Sequence, residues 1–192
     1  MSVFSRASRF DIRRSVMTGV AVVGLAVTLA SCSSGSSSQS GNAKTDLAQG
    51  ISESKAANYS QAEHLFGAVI NNSASTNVEK ALAFYNLGVI HQTTGPLRTT
   101  LIDYLNAVHY APKFTPALFN LAIAETRVNS NAALNDYNKI LAIKPGDTNS
   151  LFNSGLILYA QGRHTEGVTR IKQAISQEPA LAARVPTSVK LG

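Results

Sequence analysis

The 192-residue chain contains a single cysteine, Cys32, and this scarcity limits its chemistry. One thiol cannot form a disulfide within the chain, and a cysteine-rich structural zinc site needs more than one. The residues that follow Cys32 are polar, so they offer no apolar surface against which the thiol could be buried. A packing role therefore explains Cys32 poorly, and another explanation has to come from the residues that precede it.

Motifs of common catalytic and nucleotide-binding sites are also missing. The sequence has no HExxH motif, no glycine-rich phosphate loop, no GxSxG motif and no pair of Cys or His residues at metal-ligand spacing. Glu63 and His64 are adjacent, so on a helix they point to different faces and cannot form a dyad by themselves. The sequence identifies no catalytic residue, no metal site and no cofactor, and we expect that the protein is not an enzyme.

The net positive charge outside the N-terminal segment is small. The formal net charge of the chain is +6, and residues 1–31 carry four arginines and one aspartate, which is half of it. The remaining excess of lysine and arginine is spread along the chain without a basic run. A basic patch is the usual footprint of nucleic-acid binding, so no nucleic-acid partner is expected.

The arginines near the N-terminus precede an uncharged apolar run, Val16–Ala30, which small residues follow. A basic head, an apolar middle and a small-residue exit are typical of a secretory signal peptide. As a helix this run would span about 22 Å, less than the roughly 30 Å hydrocarbon core, so a transmembrane anchor is less favoured. The pair Arg13-Arg14 loosely resembles a twin-arginine signal, and export by the Sec or the twin-arginine route stays open.

The stretch LASC, which ends at Cys32, resembles the lipobox of bacterial lipoproteins. The resemblance implies that residues 1–31 are a cleaved signal peptide and that the Cys32 sulfur carries a diacylglycerol group. One acyl chain binds a membrane only marginally, whereas the two chains of a diacylglycerol group are enough for stable attachment. Residues 32–43 are then a lipidated cysteine followed by a Ser/Gly-rich tether, too polar to fold and with an r.m.s. span of about 18 Å.

A repeat of 33 or 34 residues organises the second half of the chain. A period in this range is typical of stacked structural units. The residues that recur with it are three prolines and three small residues: Pro112, Pro145, Pro179, Gly88, Ala122 and Gly155. Local signals predict helices between them, because Thr76 and Glu79 have the spacing of a capping box and Gly95 and Gly162 stand where helices should end.

The repeated segments resemble the tetratricopeptide repeat (TPR). Their first helix carries a small residue such as Gly88, and their second helix carries a large one such as Tyr137 four residues after a small one. The resemblance implies an all-α fold of antiparallel helix pairs, stacked as a TPR solenoid of about four repeats over residues 44–179. His91 occupies a column of packing tyrosines, so a helix-helix contact is expected for it. Residues 180–192 form a short C-terminal cap or tail, which leaves a homodimer through the C-terminal repeat as a hypothesis.

In TPR arrays the first helices line a concave face, and three columns recur on them here. One column is aromatic, the next is asparagine one residue later, and the third is apolar four residues after the aromatic. They comprise Tyr85, Asn86, Val89, Phe119, Asn120, Ile123, Phe152, Asn153 and Leu156. These residues either form a peptide groove or pack in the core. Because the columns contain no lysine cluster, an apolar peptide or amphipathic helix is favoured over an acidic peptide tail as the partner.

These observations predict a lipoprotein that is anchored through Cys32 to the cell membrane or the outer membrane and faces the periplasm or the extracellular side. Its predicted function is that of a protein-protein interaction scaffold or assembly factor in the bacterial envelope. The alternative is an accessory regulator or an enzyme that acts on cell-envelope substrates.

Overall fold

A computed structural model describes residues 42–192. The predictions for the signal peptide, the lipobox with Cys32 and nearly all of the tether lie outside these residues. The described part contains eight α-helices and one 3-10 helix, and no strand. The helices are α1 Ala43–Lys55, α2 Tyr59–Asn71, α3 Asn77–Thr94, α4 Leu97–Tyr110, α5 Thr115–Glu125, α6 Ser130–Ile143, α7 Thr148–Ala160, α8 His164–Gln177 and the 3-10 helix Pro179–Arg184. The predicted all-α fold is confirmed.

The described residues divide into two compact units, 42–117 and 118–192, and each has its own packed interior. In the first unit α1 packs against α2, α3 against α4, and α2 and α1 both contact α3. In the second unit α7 packs against α8 and also contacts α6. Successive helices therefore form antiparallel pairs, and within each unit neighbouring pairs stack, as the TPR resemblance implies.

Close approach of two helices within a pair depends on small residues of the first helix. A Cβ atom added at Gly50 would lie 2.7 Å from Cε1 of Phe66, and one added at Gly88 would lie 2.5 Å from Cε1 of Tyr104. In the last pair an added Cβ at Gly155 would lie 2.8 Å from the backbone oxygen of Gly167. The small and large columns predicted from the sequence thus face each other across the helix pairs.

Helix ends use the local signals that the sequence provides. The Asn42 side chain accepts a hydrogen bond from the Lys44 backbone at 3.1 Å and so caps α1. The predicted capping box at the start of α3 is confirmed, since Thr76 Oγ1 accepts from the Glu79 N–H and Glu79 Oε2 accepts from the Thr76 N–H. Gly95 follows α3 directly, and Gly162, with φ of +86°, lies between α7 and α8.

The C-terminal residues pack back onto the last helix pair. The 3-10 helix contacts α8, and the side chains of Leu181, Pro186 and Val189 are buried. No helix within residues 42–192 combines the length and the apolar character needed to cross a membrane.

Candidate functional site

The predicted groove columns lie on α3, α5 and α7, the first helices of three pairs. Asn86 and Val89 are half-buried. The other members are buried, and they are Tyr85, Phe119, Asn120, Ile123, Phe152, Asn153 and Leu156. Most of these side chains therefore contribute to the interior of the described structure, and a direct role in binding stays a prediction for them.

The three aromatic residues of the columns differ in what covers them. The Tyr85 ring centroid lies 5.2 Å from that of Phe114, in an edge-on arrangement. Phe119 makes a similar contact with Tyr137, with centroids 5.7 Å apart. The Phe152 ring instead faces a cation, because the guanidinium carbon of Arg184 lies 5.2 Å from its centroid. The C-terminal residues therefore contribute to covering Phe152.

Two asparagines of the columns make hydrogen bonds, one within its own helix and one to a neighbouring helix. Asn86 donates to the backbone oxygen of Leu82 at 2.7 Å, one turn earlier on the same helix. Asn153 on α7 donates to the Tyr137 hydroxyl on α6 at 3.2 Å. Tyr137 is fully buried, which raises the pKa of its hydroxyl above the usual value, with hydrogen bonds from Asn153 and Thr126 opposing the shift. Asn153 and Tyr137 thus connect two neighbouring helix pairs.

A polar cluster joins three helices of the first unit. His91 Nδ1 lies 2.6 Å from Asp103 Oδ2, and His91 Nε2 lies 3.4 Å from Glu63 Oε1. Burial raises the pKa of Asp103, while the hydrogen bond and charge of His91 lower it. The helix-helix contact expected for His91 is confirmed. Glu63, which cannot form a dyad with His64, reaches His91 on α3 instead.

The second unit places two carboxyl groups at the positions equivalent to His91 and Asp103. Burial raises the pKa of Glu125 to about 7, with a further contribution from the charge of Asp136, while Lys139 opposes the shift. Lys139 Nζ lies 2.7 Å from Asp136 Oδ1. Glu125 Oε2 is buried and has no hydrogen-bond partner within residues 42–192. A carboxyl group in this state can retain a proton near neutral pH.

The sequence contains a signal for the first cluster that the search for repeats did not reveal. His91 and Asp103 are 12 residues apart, as are Gln92 and Tyr104, whose side chains share a hydrogen bond of 2.7 Å. Gly155 and Gly167, which touch through their backbones, have the same separation. In helix pairs joined by turns of similar length, residues 12 apart thus face each other, and this spacing identifies His91 and Asp103 as partners.

Neither cluster has the composition of a metal centre. Among the residues that the structure describes, no group of three or more His, Cys, Asp or Glu side chains is arranged to hold a metal ion. The carboxyl groups of Asp103 and Asp136 each have a cationic or imidazole partner on the protein itself. In the first cluster, His91 joins α3 to Asp103 on α4 and to Glu63 on α2. In the second cluster, the ion pair of Lys139 and Asp136 lies within α6.

Comparison with known proteins identifies the fold. No family model and no curated protein matches the sequence. Solved structures of MamA, a TPR-like helical repeat protein, are similar to this chain. The crystal structure of MamA has a TM-score of 0.62 at 20% identity and covers 74% of this chain and 81% of its own. The MamA AMB-1 structure has a TM-score of 0.58 at 24% identity, and the match covers 71% of this chain and 73% of that chain. The MamA RS-1 ArsTM double mutant has a TM-score of 0.63 at 13% identity, and the match covers 74% of this chain and 78% of that chain.

Proposed function

We propose that the protein is a lipoprotein whose TPR-like domain acts as a scaffold or assembly factor for other proteins of the bacterial envelope. The observation that carries the proposal is the junction at Asn42. Helix α1 begins at Ala43 with Asn42 as its cap, directly after the polar segment that follows Cys32. A folded helical domain therefore starts where the predicted lipid tether ends.

The tether sets the distance between this domain and the membrane. A flexible Ser/Gly-rich segment of this length has an r.m.s. span of about 18 Å. A diacylglyceryl group on Cys32 supplies two acyl chains, which is enough for stable attachment. The proposed location is the cell membrane or the outer membrane, with the domain on the periplasmic or extracellular side.

The chemistry of the folded domain supports a scaffold rather than an enzyme. Helical repeats present extended surfaces that bind other proteins. Polar side chains in the two units, such as His91 with Asp103 and Asn153 with Tyr137, join helices to one another. The proposed partner is a protein that offers an apolar segment or an amphipathic helix to the first helices of the pairs.

Anchoring is tested by replacing the proposed lipid attachment site. The Cys32→Ala variant should incorporate no labelled fatty acid in growing cells and should leave the membrane fraction or remain uncleaved. Ser33→Ala, one residue further on, is the matched control and should be labelled and sediment as the unaltered protein does. Labelling of Cys32→Ala at the level of the control would rule out the lipoprotein proposal.

The scaffold function is tested separately by crosslinking in intact cells, followed by identification of the captured proteins. We expect a small set of envelope proteins to be captured by the unaltered protein and to be reduced for the Cys32→Ala variant. If only the enzymes of lipid attachment and export are captured, the proposed lipid anchor is still supported, but the scaffold function is contradicted.

A further inference from the structure

The C-terminal segment, defined as residues 184–190, lies on one face of α7. Its contacts with α7 include a cation–π contact and a hydrogen bond. The Arg184 guanidinium carbon lies 5.2 Å from the Phe152 ring centroid, and the Lys190 backbone N–H donates to the Tyr159 hydroxyl at 3.1 Å. Phe152 and Tyr159 are seven residues apart, or about two helical turns, so they share a face of the helix.

This face of α7 overlaps the predicted groove. Phe152 and Leu156 belong to the groove columns, and Tyr159 continues them by one turn. Phe152 is 1% exposed and Leu156 is fully buried, whereas Tyr159 is half-buried. A segment that contacts Phe152 at one end and Tyr159 at the other spans the helix turn that carries Leu156.

The bound segment is extended and turned rather than helical. The 3-10 helix ends at Arg184, and Val185 has φ of −70° and ψ of 123°, which is an extended conformation. The Val189 N–H donates to the Pro186 oxygen at 2.9 Å and closes a turn, and both side chains are buried. The segment therefore uses a cation, two apolar side chains and one backbone N–H, which are the means by which an extended peptide is recognised.

We propose that the face of α7 formed by Phe152, Leu156 and Tyr159 is a peptide-binding surface that the chain's own C-terminal segment masks. Its partner is an extended peptide of the same chemistry. Such a peptide places a cationic side chain on the Phe152 ring and an apolar side chain about five residues later, with the next backbone N–H bonded to the Tyr159 hydroxyl.

Masking follows from the connection of the segment to its site. A ligand held by a short connection acts at an effective concentration in the millimolar range, so a free peptide of equal quality competes poorly. Displacement requires a partner with additional contacts or a high local concentration. This inference rests on the proposed function only in taking a protein segment as the partner. Its test uses neither lipid nor cells, so its failure and a failure of the anchoring proposal are distinguishable.

The probe is a fluorescent synthetic peptide with the sequence of residues 184–192, and its binding is measured by anisotropy. The full chain in detergent is compared with a chain that ends at Ala183, which keeps the buried Leu181. We expect the shortened chain to bind the peptide at least tenfold more tightly than the full chain. A peptide with Val189→Asp should bind at least tenfold more weakly than the unaltered peptide, because its buried apolar contact is replaced by a charge.

Tyr159→Phe in the shortened chain keeps the ring and removes the hydrogen-bond acceptor, so binding should weaken about fivefold. Equal binding to the full and shortened chains, or equal binding of the two peptides, would overturn the proposal. The full-length Val189→Asp variant serves as a second receptor if the shortened chain loses its helical circular dichroism. It should remain helical and bind the unaltered peptide; failure of either shows that the segment is only a structural cap and that the masking proposal is wrong.

Discussion

The pKa of Glu125 depends on the residue that faces it from the neighbouring helix. The position equivalent to it one repeat earlier is His91, which meets Asp103 as a favourable partner. Glu125 instead faces the like charge of Asp136, and burial and this charge together raise the pKa of Glu125 to about 7. Burial and the charge of Asp136 destabilise only the ionised form of Glu125, so their effect on stability depends on pH.

The first prediction concerns this pH dependence. The folded pKa of Glu125 lies above its usual 4.5, so the associated stability is complete below about pH 4.5 and is lost as the pH rises through 7. Because the group is only partly buried, solvent screening reduces the loss to the order of 1 kcal/mol. The unfolding free energy, measured with urea, should fall between pH 5 and pH 8 in the unaltered chain. In Glu125→Gln this fall should be absent.

The exposed Glu178→Gln is the control for Glu125→Gln and should keep the pH dependence of the unaltered chain. An unchanged difference between pH 5 and pH 8 in Glu125→Gln would assign the effect to another group.

The second prediction at this scale concerns the turns between paired helices. Ala57 has φ of +62°, and Gly162 has φ of +86° at the equivalent turn of the last pair. A left-handed conformation costs an L-residue about 1–2 kcal/mol. Ala57→Gly should therefore raise the free energy of unfolding by about 1 kcal/mol, as measured by urea titration.

Ala56→Gly provides the matched comparison for Ala57→Gly, since Ala56 has an ordinary φ of −80°. The added backbone freedom then has no strain to offset it, so this change should be neutral or destabilising. Stabilisation by both changes would show that the conformation of Ala57 is not the cause.

Helix pairs are the elements that the sequence predicts best. The columns of small and large residues recur at a fixed period, and they face each other in the structure at Gly50 and Phe66 and at Gly88 and Tyr104. The groove is harder to predict. Periodicity identifies the helix face on which Phe119 and Phe152 lie, but it does not reveal whether a neighbouring element covers that face. Coverage depends on contacts such as Arg184 on Phe152, which involve a non-repeating segment.

The third prediction tests the α7–α8 pair, in which the backbone of one helix faces the backbone of the other. A Cβ atom at Gly155 would lie 2.8 Å from the Gly167 oxygen, and backbone cannot move aside as a side chain can. Gly155→Ala should therefore force α7 and α8 apart and cost about 1–3 kcal/mol of unfolding free energy.

Gly67, in α2, is the control for Gly155 because no atom lies within 4 Å of a Cβ added there. Gly67→Ala should stabilise the chain by about 0.5–1 kcal/mol through helix propensity. Thermal melts of the two variants should therefore move in opposite directions; a destabilising Gly67→Ala would contradict this account.

At the scale of the whole molecule, the described residues contain the means to fold without the preceding segment. Asn42 caps the first helix, and Ala43 and Leu47 join the core that α1 forms with α2 and α3. The fold was predictable because the same small and large residues recur at equivalent positions of successive helix pairs. The residue types of the polar clusters change between equivalent positions, from His91 to Glu125, and the C-terminal segment occurs once, so the repeat predicts neither.

The fourth prediction is that a chain that starts at Asn42 folds by itself. Circular dichroism should show a mostly helical protein with a cooperative melt. Reductant and chelator should leave the melt unchanged, because residues 42–192 contain no cysteine and no arrangement of side chains that would hold a metal. Asn42→Ala in the same chain should lower the unfolding free energy by about 1 kcal/mol through loss of the cap. A melt that shifts on addition of chelator would contradict the prediction.

The packing of the last residues has a practical consequence for attaching reporters. Val189 is buried and the Lys190 N–H is bonded to Tyr159, so only two residues would separate this contact from a fluorescent protein or affinity tag fused after Gly192. The connection between α6 and α7 is a better position. Gly146 is exposed there, and an added Cβ would come no closer than 3.9 Å to the Gln177 side chain. An epitope inserted after Gly146 should report on the protein while the C-terminal segment keeps its place on α7.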